Sequence, residues 1–270
     1  MLNVFLFLLI FPAKAQIIPD TAVQALTCTP SSPESCWVVS FWKLLGRTAL
    51  ARWDFATRQG TKIFDGTKQI RFVSWNIPGL ILLEDRPSSN RKFIPPHPWE
   101  QNDAMLTMDG FKVPVVRTYT LGFGEDQHVT AARTYNEEAF VAMDHAIAAA
   151  RKYRIRLIIP IINDHKGGDS NTHFLRGDYA ILCSFRGIRP SQFFTSRQMI
   201  DDMKHLISYM LNRVNTVTKI AYCCSVLTVR YKDDPTVLAW QLGNELGSWF
   251  DTPAPAVQFT VLIYSLGLLK

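Results

Sequence analysis

From about residue 70 onward, short apolar segments alternate with amphipathic ones, and three of the apolar segments start at a constant interval, at Ile70, Val113 and Arg156. An apolar strand followed by a helix and another apolar strand is the signature of a parallel sheet covered by helices. The spacing predicts strands over residues 70–76 (IRFVSWN), 113–120 (VPVVRTYT), 156–162 (RLIIPII) and 236–242 (TVLAWQL). Residues 57–76 read as a short hairpin, turned at Asp65-Gly66, that runs into the first of these strands. Helices are predicted over 99–109, 137–153 and 196–215. In the second helix Phe140, Met143, Ile147 and Ala150 form one apolar stripe, with Asn136 as N-cap and Glu137 and Glu138 placed against the positive end of the dipole. In the third, Met199, Met203, Leu206, Ile207, Met210 and Leu211 share a face. Pro160 inside the third apolar run suggests that this strand ends there. The loop segments are residues 78–98 and the polar stretch NDHKGGDSNTH.

The architecture expected from this rhythm is an elaborated (β/α) barrel. No glycine-rich phosphate loop follows any strand, which argues against a dinucleotide-binding sheet. A full barrel needs eight strands, whereas this pattern shows four. Length and composition agree with one large α/β domain: 270 residues, 47% hydrophobic and 19% charged, exclude a disordered or fibrous chain. The formal net charge of +6 comes from basic residues scattered along the chain, so no nucleic-acid partner is expected.

Residues 1–15 (MLNVFLFLLIFPAKA) have an apolar core ending in Ala13-Lys14-Ala15, as a secretory signal does. Pro12 and Lys14 interrupt it well short of the roughly 20 apolar residues of a membrane span. A secreted, extracellular, monomeric protein without a stable membrane span is expected. Cys28 and Cys36 are close enough to close a small loop in that compartment, and Cys183, Cys223 and Cys224 leave an odd count. No Cys or His partners stand at zinc-site spacing, so neither metal nor cofactor is expected. Residues 16–56 form an extension of no assignable structure.

The chemistry-bearing residues cluster where the strands end. Asn76 closes the first strand, Arg117 and Tyr119 the second, Asn163 and Asp164 the third, and Asn244 and Glu245 follow the fourth in VLAWQLGNELG. In a barrel these points share the carboxyl-terminal rim, where active sites are built. A Glu beside an amide and an Arg suits glycoside hydrolysis. One carboxylic acid protonates the leaving oxygen, and an amide bonds the sugar 2-hydroxyl as the transition state forms. Trp75, Tyr119 and Trp249 are candidate platforms for sugar rings, and His165 and His173 lie in a candidate substrate-facing loop. Other readings of the same residues stand beside these: Asn244-Glu245 as a helix start, Arg117 as an ion-pair partner, Trp75 and Trp240 as core.

The motifs RFVSWNIPGLILLEDR, VVRTYT, LIIPIIND, LNRVNTVT and VRYKDDPTVLAWQLGNEL, in this order, resemble glycoside hydrolase family 5, closest to its secreted endo-β-mannanase-like members. The resemblance runs over about residues 55–249. It implies an eight-stranded barrel hydrolysing a β-linked polysaccharide such as mannan or glucan with retention. Glu245 is then the acid/base, Asn244 the contact to the 2-hydroxyl, and Arg117 the support of the nucleophile. Two features depart from the family. Asp251 is the sole acid after Glu245, so the second carboxylate of a retaining pair is expected to be missing. Residues 219–228 (KIAYCCSVLT) and the apolar tail over 253–270 interrupt the family's order and read as aberrant sequence. The expectation is therefore the amino-terminal half of a barrel over residues 57–252, with about the first four β/α units. It is inactive as written, and the alternatives are a non-catalytic carbohydrate-binding protein or a non-functional truncated product.

Overall fold

A computed structural model describes residues 53–83, 94–163, 178–222, 225–244 and 246. The expectations for residues 1–52, Asp164, His165, His173, Cys223, Cys224, Glu245, Trp249, Asp251 and the tail over 253–270 lie outside the described residues.

The organising element is a four-stranded parallel sheet. Its strands are β4 (Ser74–Asn76), β5 (Val115–Arg117), β8 (Arg156–Asn163) and β11 (Val237–Asn244), lying in the order β11-β8-β5-β4. Each new strand is laid beside the previous one, and the order never reverses as it does in a doubly wound sheet. The connections carry α1 (Pro98–Gly110), α2 (Glu137–Lys152), α3 (Tyr179–Ser184) and α4 (Arg197–Asn212). The main core lies between sheet and helices. There Val116, Leu157, Ile159, Trp240 and Leu242 meet Met105, Phe140, Met143, Ile147, Met203 and Ile207. Full burial of each such side chain contributes about 1.5–3 kcal/mol.

The helices start as their sequences predict. Asn136 Oδ1 accepts the Glu138 N–H at 3.1 Å, while Arg151 and Lys152 sit in the last turn of α2, where the dipole favours cations. Pro98 occupies the first position of α1, and the Glu100 carboxylate accepts the His97 N–H at 2.7 Å. Helix α4 stops at Asn212, short of the predicted 215. Arg213 turns away to pair with Asp144 at 2.9 Å, and Asn215 Oδ1 accepts the N–H groups of Val217 and Thr218, which bends the backbone.

The predicted strand over 70–76 is two strands. Residues Lys68–Ile70 form β3, the last strand of an antiparallel meander with β1 (Ala56–Gln59) and β2 (Lys62–Asp65), whereas β4 joins the parallel sheet. Both turns of the meander are two residues long, Gly60-Thr61 and Gly66-Thr67, with only the glycines at positive φ. Glycine first in a two-residue loop is the type II′ preference, which moves the hairpin turn one residue beyond Asp65-Gly66. Ala56, Ile63 and Phe72 pack with Val115, Ile158, Leu238 and Ala239 on the face of the sheet away from the helices. Arg156, buried at the start of β8, holds the meander there by donating to the carbonyls of Pro235 and Asp54 and to the Asp65 carboxylate.

Pro160 does not end its strand, which runs on to Asn163. Arg156 N donates to Pro114, and Ile158 O accepts from Thr118 N, so even-numbered residues of β8 bond toward β5. Strand β5 ends at Arg117, level with Ile158, so the N–H that Pro160 lacks would point beyond that ladder. The segment expected as loop after Pro78 carries a single 3-10 turn over Pro78–Leu80, and its Leu80, Ile81 and Leu82 are buried in the main core. A small hairpin of β6 (Val129–Ala131) and β7 (Thr134–Tyr135) precedes α2 and carried no clear signal in the sequence.

The segment read as aberrant forms most of an antiparallel hairpin, β9 (Val214–Tyr222) with β10 (Ser225–Arg230). Lys219 and Thr228 are cross-strand partners, so the ends of the segment 219–228 already lie side by side. Excising residues 219–228 is therefore expected to leave a cooperative melt shifted by no more than about 2–4 °C, since a two-stranded hairpin adds little stability of its own. Thermal denaturation followed by circular dichroism checks this, and loss of the cooperative transition would show that the hairpin is integral.

Candidate active site at the carboxyl ends of the strands

Parallel pairing brings the strand-terminal polar residues together. Asn76 is in register with Arg117 across β4 and β5, and Asn163 with Asn244 across β8 and β11. The Arg117 guanidinium spans the sheet. Nε donates to Gln241 Oε1 at 2.8 Å, one terminal nitrogen to Asn76 Oδ1 at 3.1 Å, and the other to Asn244 Oδ1 at 2.9 Å. Asn244 Nδ2 donates to Asn163 Oδ1 at 3.0 Å, and Asn163 Nδ2 donates to the Tyr119 hydroxyl at 2.9 Å. Arg117, Tyr119, Asn163, Asn244 and Asn76, all expected at this rim, thus form one connected network contributed by four strands.

Gln241 belongs to the network and was missed in the sequence. It lies within an apolar strand, and its only local sign is a polar residue flanked by Trp240 and Leu242. Its amide is engaged at both ends, because Nε2 donates to the Gly243 carbonyl at 2.9 Å. A Cβ at Gly243 would lie 2.6 Å from a Leu246 methyl, so a side chain there requires Leu246 to move.

Trp75 stands apart from this network. It pairs with Val116, which faces the helices, and successive strand residues point to opposite faces, so Trp75 is directed away from Asn76. Its ring stacks on Phe111 at 5.9 Å and is 49% exposed at the edge of the sheet. The structure does not bring it into the rim network. Trp240 is core, buried and stacked on Tyr231.

The network is made of amides, a phenol and one guanidinium, a set suited to the hydroxyls of a neutral polyol. Elsewhere, burial pushes the Cys183 thiol up to about 12, so it is not a nucleophile at neutral pH. Among the described residues, no group of three or more His, Cys, Asp or Glu is placed to hold a metal ion. No helix among them is long and apolar enough to cross a membrane.

No protein-family model matches the chain. Over 193 residues, 71% of its length, it is 32% identical to mannan endo-1,4-beta-mannosidase 4 of Solanum lycopersicum, of which it covers 44%. With mannan endo-1,4-beta-mannosidase 7 of Arabidopsis thaliana the identity is 29% over 231 residues, covering 83% of this chain and 46% of that protein. The chain thus spans less than half the length of these relatives. Among solved structures, the endo-1,4-beta-mannanase of Rhizomucor miehei superposes with a TM-score of 0.61 at 22% identity, covering 80% of this chain and 57% of that one. The endo-1,4-beta-D-mannanase of Thermotoga petrophila gives 0.56 at 20% identity, covering 74% and 52%. At such identities the structural matches bear on the fold alone, and the sequence matches supply the kinship. Together they show kinship in sequence with plant mannan endo-1,4-beta-mannosidases and a fold shared with solved endo-mannanases, which is consistent with a mannanase-like protein of glycoside hydrolase family 5.

Proposed function

We propose that the described residues form the first four β/α units of a (β/α)8 barrel and carry one half of a site that hydrolyses β-1,4-linked mannan. The observation that carries this reading is the network joining Asn76, Arg117, Tyr119, Asn163, Gln241 and Asn244 at the carboxyl ends of four consecutive parallel strands. Active sites of such barrels are built there. In this reading Glu245, next in sequence after Asn244, protonates the glycosidic oxygen and later activates water. Asn244 Nδ2 contacts the 2-hydroxyl of the sugar, while the Arg117 guanidinium holds the Asn244 amide and offers positive charge to a carboxylate on the far side of the bond. A retaining reaction places that second carboxylate about 5–5.5 Å from the first. It belongs to β/α units beyond β11.

Mannohexaose is the probe. Binding is measured by calorimetry and turnover by reducing-end release, for the chain and for a longer form joined to the barrel half that relatives carry. The expected result is binding by both, turnover by the longer form, and loss of most of that turnover, but not of binding, in Glu245→Gln. Unchanged turnover in that variant overturns the role of Glu245. Binding without turnover in the longer form would make the protein a carbohydrate binder, and absence of binding in both would remove the glycan site.

A further inference from the structure

We infer that Gln241 is a positioning residue, one that aims the Arg117 guanidinium at the rim and ties it to the backbone carrying Asn244. The inference deepens the proposed glycan site and rests on that reading. A guanidinium held only through its two terminal nitrogens can still tilt with its flexible stem, whereas a bond at Nε locks the side chain where the plane begins. Gln241 Oε1 makes that bond at 2.8 Å, on the same guanidinium whose terminal nitrogens reach Asn76 and Asn244.

The acceptor is itself held. Gln241 Nε2 donates to the Gly243 carbonyl at 2.9 Å, which orients the amide with its oxygen toward Arg117. The same bond fixes the peptide that leads into Asn244, so one side chain sets both partners of the Arg117–Asn244 contact. Gln241 is half-buried in β11, a rigid element in register with β8, which lets a single rotamer persist. It is also neutral. An amide aligns the guanidinium while leaving its charge for groups at the rim, including an anionic group that develops during reaction.

The test compares the wild-type chain with Gln241→Leu and Gln241→Glu, the latter keeping an oxygen toward Arg117. Nitrogen-edited spectra report water exchange at the Arg117 Nε–H, assigned by its loss in Arg117→Lys, and calorimetry reports mannohexaose affinity. Gln241→Leu is expected to speed Nε–H exchange at least tenfold and weaken mannohexaose binding about tenfold, with backbone amide signals outside the rim unchanged. Gln241→Glu is expected to restore Nε–H protection but not full affinity, because its carboxylate accepts from Arg117 yet cannot donate to the Gly243 carbonyl. Should Gln241→Leu fail to fold, Gln241→Ala takes its place. Unchanged exchange in the Gln241→Leu chain overturns the inference, as does lost exchange protection with wild-type affinity, or a Gln241→Glu chain whose Nε–H exchanges as fast as in Gln241→Leu. If the wild type binds no mannohexaose, the glycan reading fails, and the exchange data alone decide whether Gln241 positions Arg117.

Discussion

Asp144→Ala is expected to cost about 3–5 kcal/mol of stability, the loss typical of removing one partner from a buried charge pair. Asp144 is fully buried in α2 and accepts from five donors. These are Arg213 through two nitrogens, one at 2.9 Å, Thr216 through its hydroxyl at 2.7 Å and its N–H at 3.2 Å, and the Tyr231 hydroxyl. The carboxylate thus joins α2 to the end of α4, to β9 and to the turn that leads into β11. Without it the Arg213 guanidinium, 5% exposed, keeps Glu137 as an ionic partner, but that carboxylate is 66% exposed and well hydrated. The Tyr231 hydroxyl is left with the more distant Phe140 carbonyl, at 3.4 Å, as acceptor inside the core, and burial beside Asp144 already holds that phenol well above its ordinary pKa. Urea denaturation measures the loss. Asp144→Ala combined with Arg213→Met should be less damaging than the two single losses summed, because the second change removes the stranded charge. A loss below about 1 kcal/mol in the single variant would mean that the Asp144 cluster is not a structural tie.

Acidification from pH 7 to 5 is expected to remove about 2 kcal/mol of stability through one residue, His128. Its ring is fully buried, Nδ1 accepts the Gly122 N–H at 3.1 Å, and it stands edge-on to Phe140. Burial, and secondarily the positive charge of Arg213, lower its pKa to about 3 from 6.5. The folded chain therefore keeps this ring neutral across an interval in which the unfolded chain takes up a proton. Stability from this residue is complete above about pH 6.5 and drains as pH falls toward 3, at about 1.4 kcal/mol per pH unit. Urea midpoints at pH 7, 6 and 5 report the slope. In His128→Gln, which offers an uncharged acceptor to Gly122, the slope over this interval should flatten. Equal slopes in both chains would show that His128 does not govern acid sensitivity, and the range above pH 5 keeps most carboxylates ionised.

Much of the local structure was legible because its causes are local. Asn136, the apolar stripe through Phe140, Met143 and Ile147, and the basic last turn specify α2 within a single stretch of chain. The glycine turns of the meander are local in the same way. The rim residues were legible for a related reason: polar groups that close apolar strands lie on one edge once the strands are parallel, whatever the exact register. The strand over 70–76 was misread because its two ends join different sheets. Pro160 was misread because a missing N–H matters only if a neighbouring strand stands opposite it.

Tertiary structure decided the rest, where the energy of a residue depends on a partner distant in sequence. Asp144 reads as an ordinary helical carboxylate until Arg213, Thr216 and Tyr231 are folded against it. Gln241 reads as an intrusion in an apolar strand until register places it beside the Arg117 Nε. Trp75 and Asn76, neighbours in sequence, divide between the two faces of the sheet, and only pairing with Val116 and Arg117 tells which face is the rim. Periodicity, capping and turn chemistry act over a few residues and can be read along the chain. Burial of charge and the aim of a guanidinium are set by what the fold packs around them.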